Sequence, residues 1–368
     1  MTDRMVDLVA GARPNFMKLA PVVRGLQQRG ELKFRIVHTG QHYDAAMNDV
    51  FFEELRIPRP EVHLDVGSGT HGVQTARIIE RYEAHLLETR PAATVVFGDV
   101  NSTVACALAA VKLGIPVAHV EAGLRSFDRT MPEEINRVLT DAVADLLLVS
   151  EESGLANLAH EGIDSGKVRL VGNVMIDTLM SHLEEARERK TAARLGLGSR
   201  QYGVITLHRP SNVDDPGTLR QLLELFHELS TDLPLVFALH PRTRANAEKA
   251  GVAHLLEQGQ NRLICVGPQP YLDNLSLVDS AAVVLTDSGG LQEETSVLGV
   301  PCLTMRTTTE RPVTVSLGTS RLVGNDASAI RSGFGDVLKK AWPKGTVIPM
   351  WDGRSGERVA KELTAWLS

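Results

Sequence analysis

Short apolar runs alternate with longer amphipathic stretches along most of the chain. Residues 5–11 (MVDLVAG), 33–40, 62–66, 93–97, 115–120, 145–150 and 168–171 form a first series of such runs. Each ends in, or is followed directly by, glycine or a polar residue. Continuous apolarity over so few residues predicts strands buried on both faces, as in a parallel sheet. Helical spacing of apolar positions predicts helices over residues 14–29, 43–55 and 70–89. Pro14 falls in the first turn of the first of these, where its fixed φ is well suited.

A second series follows, with strands predicted at 202–207, 235–239, 262–266, 282–286, 301–305 and 321–323 and helices at 215–230 and 291–298. Between the two series lies a charged helical stretch, SHLEEARERKTAARLG, within residues 175–200. That stretch marks the crossing between domains. The last amphipathic pattern, residues 355–367, puts Val359, Leu363 and Trp366 on one side and is expected to return to the first domain. The alternation predicts an α/β protein: two Rossmann-like, doubly wound domains facing a cleft. Their expected extents are residues 1–173 together with 353–368, and residues 174–352.

Composition narrows the class. A chain of 368 residues exceeds what one core usually supports. Hydrophobic content of 43% and charged content of 23% suit a globular protein in water. A net charge of -6 with no basic tract argues against nucleic-acid binding. Cys106, Cys265 and Cys302 are far apart, which disfavours a zinc site or disulfide framework and suits a reducing cytoplasm. Asp3, Arg4 and Asp7 interrupt any signal-peptide core, and no apolar run reaches membrane-spanning length.

Chemistry concentrates where strands end. The stretch GDVNSTVACALAAVKLGIPVAHVEAGLRSFDRTMPEEINR, residues 98–137, places Asp99 after one strand and Glu121 after the next. In open parallel sheets ligands bind at the carboxyl ends of strands, so two carboxylates point to one place. Glu133 follows at the start of a helix, where it fits a capping box with Thr130 and an i,i+4 pair with Arg137. Lys18 and Arg13 flank the first strand–helix junction, a natural anion site. DSGGLQEE repeats the logic in the second series: Ser288 can cap a helix, Gly289 and Gly290 let a diphosphate approach the backbone, and Glu294 can reach ribose hydroxyls. Arg311, in TTTERP, is placed at a helix start where it can clamp a phosphate. His208 and His240 each end a strand, and histidine is the commonest general acid or base. GSGTHG, residues 67–72, matches a dinucleotide fingerprint in letters but follows the third strand and lacks the partner acid, so it reads as a glycine turn. Acids and bases on one side and anion sites on both describe a nucleotide-sugar site.

The set GARPNFMKLAP, HTGQH, GDVNST, HVEAGLR, MPEEINR, LHRP, GPQPYLDNL, TDSGGLQEE and TTERP resembles the non-hydrolysing UDP-N-acetylglucosamine 2-epimerases, in that family's order from Gly11 to Pro312. The resemblance implies a glycosyltransferase B-type fold and interconversion of UDP-GlcNAc and UDP-ManNAc. It implies Asp99, Glu121, Glu133, Arg137 and His208 as the catalytic set. For substrate binding it implies Arg13, Lys18, Gln41, His42, His240, Ser288, Gly289, Gly290, Glu294 and Arg311. No metal or nicotinamide cofactor is implied, nor a nucleic-acid or membrane partner. A homodimer is implied, as is closure of the domains over the substrate. Many members read GTRPEAIK and TGHRRE where this chain has GARPNFMK and TLHRPSN. The HTGQHYD and LHRP variants resemble branches acting on modified sugars such as UDP-2,3-diacetamido-glucuronic acid. A glycosyltransferase of the same fold is the alternative, disfavoured by three carboxylates and an arginine in one domain.

Overall fold

The structure is a computed structural model that describes residues 4–40, 52, 54–257 and 262–368. The helix expected at 43–55 therefore falls largely outside the described residues. The chain divides into two compact units, Met1–Thr178 with Pro349–Ser368, and Leu179–Ile348.

The first unit runs β1 (Met5–Ala10), α1 (Arg13–Arg29), β2 (Lys33–His38), β3 (Val62–His63), α2 (His71–Thr89), β4 (Ala93–Phe97), α3 (Asn101–Lys112), β5 (Val117–Ala122), α4 (Pro132–Val143), β6 (Leu146–Val149), α5 (Glu152–His160) and β7 (Val168–Leu170). Helix α6 (Val174–Arg189) follows. Among the described residues the strands form one sheet in the order β3-β2-β1-β4-β5-β6-β7, and every pairing is parallel. All residues of β4 and β5 are buried. Helices cover both faces of the sheet there, which is why these strands are mostly apolar, with His119 and Glu121 the charged-type exceptions in β5.

The second unit runs α7 (Thr191–Arg194), β8 (Gly203–Thr206), α8 (Pro210–Val213), α9 (Pro216–Leu229), β9 (Leu235–Ala238), α10 (Pro241–Lys249), β10 (Leu263–Val266), α11 (Tyr271–Asp279), β11 (Val283–Thr286), α12 (Gly289–Leu298), β12 (Cys302–Thr304), α13 (Val313–Ser316), β13 (Ser320–Leu322) and α14 (Ala327–Leu338). Its parallel sheet has the order β10-β9-β8-β11-β12-β13. Both sheets are doubly wound, as the alternation of apolar and amphipathic runs predicts. The order reverses between β1 and β4 in one and between β8 and β11 in the other, and those reversals are where such folds bind ligands.

The last helix, α15 (Ser355–Leu367), packs on α1 within the first unit. The two helices meet at glycines: a Cβ on Gly25 would stand 2.6 Å from the Gly356 carbonyl oxygen. Asp177 accepts hydrogen bonds from the Ser355 and Gly356 amides at 3.0 and 2.6 Å, capping the start of α15. No helix among the described residues is long and apolar enough to cross a membrane.

Candidate active site

In the first unit, the carboxyl ends of β1, β4 and β5 carry a dense set of charges. Lys18, one turn into α1, places Nζ 2.7 Å from Glu121 Oε1, and both side chains are buried. Glu121 has φ of 75°, a left-handed conformation that costs a non-glycine residue energy and clusters at functional sites. The β5–β6 register shifts between Val120 and Ala122, so Glu121 sits on a bulge that re-aims its side chain. Gly98, with φ of 64°, turns the chain off β4, and a Cβ there would stand 2.5 Å from Lys18 Nζ. Only glycine leaves room for the Lys18–Glu121 pair.

Asp99 is salt-bridged to Arg137 Nη2, and Arg137 Nη1 also donates to Glu134 Oε2 at 2.6 Å. Asn136 Nδ2 holds the Asp99 carbonyl oxygen at 2.9 Å. The 24% exposure of the Asp99 side chain, against 4% for Arg137, leaves Asp99 the accessible member of the pair.

Two local expectations fail here. Helix α4 begins at Pro132 with Met131 as N-cap and no side-chain cap, and Thr130 Oγ1 donates instead to Asp128 Oδ1 at 2.6 Å. Arg137 turns to Glu134, not to Glu133. Proline at the first helical position moves the start one residue later, so the third position is Glu134. Glu134 accepts from Ser126 N, Ser126 Oγ and Phe127 N, each at 2.9 Å, and so ties down the loop before the helix. Glu133, the preceding residue, is half-buried and takes no part in these bonds.

The second unit gathers its chemistry at the β8–β11 reversal. His208 follows β8 and sets Nδ1 2.9 Å from Asp287 Oδ1, at the end of β11. Asp287 is fully buried and also accepts from the amides of His208 (3.0 Å) and Arg209 (2.8 Å) and from Asn212 Nδ2 (3.0 Å). Burial opposes its ionisation, but the hydrogen bonds from His208 and Arg209 prevail and hold the carboxyl below its ordinary pKa. An ionised Asp287 fixes Nδ1–H of His208 and leaves Nε2 for a ligand. His240 caps α10, its Nδ1 accepting from the Arg242 amide at 3.2 Å, and its ring lies 5.5 Å from that of His208. Partial burial and the neighbouring His208 lower its pKa.

Ser288 is the N-cap of α12, its side chain accepting from the Leu291 amide at 3.5 Å. Gly289 and Gly290 are the first two helical residues, where free amides attract an anion. A Cβ on Gly289 would stand 2.8 Å from Glu310 Oε1 and 3.7 Å from Arg311 Nη1. The Arg311 guanidinium thus lies beside the glycine turn, buried and paired with Glu293 and Glu310, with Arg306 Nη2 2.7 Å from Glu310 Oε2. Arg311 precedes the short α13, so its position comes from these carboxylates more than from a helix start. Glu294, on the same helix, is buried, and burial with the neighbouring Glu293 raises its pKa to about 8. The nearby Tyr271 hydroxyl partly offsets the rise.

Gln41 and His42 lie outside the described residues, as does the side chain of Arg13, which opens α1. The structure adds Glu134, Asp287, Glu293 and Glu310 to the residues legible in sequence. Asp287 bears a signal like that of Asp99, an acid within two residues of a strand's end. The other three show none: Glu134 and Glu293 are each one of an adjacent pair of glutamates, and Glu310 is a single glutamate in TTTERP.

Two doubly wound parallel sheets, each with its chemistry at the topological switch, define a glycosyltransferase B-like protein. At the level of fold, a UDP-glucosyltransferase from Polygonum tinctorium superposes with a TM-score of 0.59 at 14% identity, covering 100% of this chain and 99% of that one. The chain matches the model of the UDP-N-acetylglucosamine 2-epimerase family over residues 24–364 and belongs to that family. It is 40% identical over 367 residues to the UDP-N-acetylglucosamine 2-epimerase of Methanocaldococcus jannaschii, covering 98% of each chain. A crystal structure of that enzyme in complex with UDP-GlcNAc and UDP matches with a TM-score of 0.89, covering 98% of this chain and 99% of that one. The UDP-2,3-diacetamido-2,3-dideoxy-D-glucuronate 2-epimerase of Pseudomonas aeruginosa is 42% identical over 320 residues, 86% of this chain and 87% of the relative.

Proposed function

We propose that the protein interconverts UDP-N-acetylglucosamine and UDP-N-acetylmannosamine. A base takes the C2 proton, the C1–oxygen bond breaks as UDP leaves, and a 2-acetamidoglucal remains. Return of a proton to the other face of C2 and re-addition of UDP at C1 complete the inversion. The observation that carries this reading is the pairing of two carboxylates with two cations at one sheet edge, Glu121 with Lys18 and Asp99 with Arg137.

The C2 proton is not acidic, so its removal needs a positioned base and a neutralised leaving group. Asp99, Glu121 and Glu133 supply carboxylates for proton transfer. Lys18 and Arg137 hold two of them in place and balance their charge. The amides at Gly289 and Gly290, Ser288 and Arg311 receive the diphosphate, where charge grows as the C1 bond breaks. His208, with Nδ1 held by Asp287, offers Nε2 to a leaving phosphate oxygen. Glu294 takes ribose hydroxyls, and Arg13, Gln41, His42 and His240 complete the substrate contacts. Family resemblance supports a homodimer serving polysaccharide assembly, and cysteine usage supports a cytoplasmic setting.

The sugar has a second reading. Identity of 42% over 320 residues to the Pseudomonas aeruginosa relative supports a 2,3-diacetamido uronate as the alternative. Proton NMR in heavy water with each UDP-sugar separates the two. Deuterium at C2 accompanying the 2-epimer is expected with the true substrate. No exchange with UDP-GlcNAc but exchange with the uronate would transfer the activity to the modified sugar, and no exchange with either would overturn the epimerase reading.

A further inference from the structure

Beneath the acids of the first unit lies a chain of charges, buried at His119, Asp141 and Arg125 and exposed at Glu161, with no role in the steps above. His119, on β5 two residues before Glu121, has no exposed surface. Its Nδ1 is 2.7 Å from Asp141 Oδ1 on α4, and its Nε2 is 2.8 Å from the Gly98 carbonyl oxygen. The other oxygen of Asp141 accepts from the Gly123 amide at 3.0 Å and from Arg125 Nη1 at 2.7 Å. Arg125 then forms a two-pronged bond to Glu161 at 2.7 and 2.6 Å.

A carbonyl oxygen can only accept, and so can an ionised carboxylate. Both ring nitrogens of His119 must therefore carry hydrogen for both bonds to form. Burial opposes ionisation of Asp141, yet His119 and Arg125 together hold its pKa below the ordinary value, so it enters this arrangement as an acceptor. The chain Glu161–Arg125–Asp141–His119 then alternates in sign from the exposed Glu161 to the buried His119, so each buried charge has an opposite partner.

It is tied to both acid-bearing turns, through the Gly98 carbonyl held by His119 and the Gly123 amide held by Asp141. Gly98 precedes Asp99. Gly123 follows Glu121 at the bulge and has φ of 81°. Helix α4 supplies Asp141 to this clasp and, one turn earlier, Asn136 and Arg137 to the Asp99 backbone and side chain. We propose that His119, as an imidazolium held between Asp141 and the Gly98 carbonyl, is a positioning residue that fixes the spacing of Asp99 and Glu121. The proposal rests on the epimerase reading of these acids. His119 touches no substrate and acts through the turns it joins.

Two measurements on the full chain test it. The first is nitrogen NMR of 15N-histidine-labelled protein at neutral pH, with the His119 signal assigned by its loss in H119Q. The imidazolium pattern, two protonated nitrogens, is expected, and a neutral tautomer would overturn the proposal. The second is steady-state kinetics of H119Q and of D141N, which keeps the volume but removes the ionised acceptor. Both should lower kcat by about 10-fold or more with KM within about threefold, since small misplacements of reacting groups cost rate more than affinity. Folded variants with unchanged kcat and only a lower melting temperature would make the clasp structural and overturn the proposal. Wild-type protein with no C2 exchange on either UDP-sugar would instead remove the epimerase reading, and the nitrogen spectrum would still decide the charge on His119.

Discussion

Glu294 and Asp287 are both buried acids in the second unit, and their surroundings drive them in opposite directions. Asp287 receives hydrogen bonds from two backbone amides, His208 and Asn212, so its charged form is favoured. Glu294 sits beside Glu293, and its pKa rises from 4.5 to about 8. Between those values the folded chain keeps a proton that the unfolded chain has lost. Stability should therefore fall as pH rises from about 4.5 to about 8 and level off above that range. Replacing Glu294 with glutamine removes this loss while keeping the side chain's size. Melting curves from pH 5 to 9 are expected to show a flatter profile for E294Q, with a relative gain of roughly 2–4 kcal/mol at the alkaline end, each pH unit being worth about 1.4 kcal/mol per proton. Neither pKa direction is legible from TDSGGLQEE, because it depends on what folds against each carboxyl.

Helix α4 shows how much of an element its sequence carries. MPEEINR announces a helix start with acids in the first turn, and a helix follows. Which of Glu133 and Glu134 faces Arg137 depends on where the first turn begins and how the helix is rotated, since neighbouring residues point about 100° apart. The β4–α3 turn is the opposite case, where one residue type reveals a close approach. Gly98 needs φ of 64° and has Lys18 Nζ where a side chain would begin. Gly98→Ala is expected to cost about 1–2 kcal/mol from the left-handed backbone alone. It should also displace Lys18 from Glu121 and lower kcat by about 10-fold or more, as misplaced catalytic groups do. Thermal unfolding and the heavy-water exchange assay on the same preparation check both.

For the molecule as a whole, the first unit is completed by residues from the far end of the chain. Helix α15 reaches α1 only because Gly25 and Gly356 lack side chains: a Cβ on Gly356 would stand 2.4 Å from the Pro21 carbonyl oxygen. Asp177 anchors the same helix start. Gly356→Val should push α15 off α1 and destabilise the protein by about 1–3 kcal/mol, in the range of other overpacked contacts. Calorimetry is expected to show the lowered transition. An unchanged melting temperature would mean that α15 contributes little to the first unit.

Local pattern alone determined the alternation of strands and helices, the doubly wound class, and the strand ends where Asp99, Glu121, His208 and Ser288 stand. Those features follow from nearest-neighbour physics: apolar runs of strand length, helical periodicity, and glycine or an acid where a strand must stop. Tertiary structure alone decided the partners. His119 with Asp141, Asp287 with His208, and Arg311 with Glu293 are each brought together from separate parts of the chain. Charge in a buried site is set by which opposite charge or hydrogen-bond donor folds within about 3 Å of it, and no spacing along the chain encodes that distance.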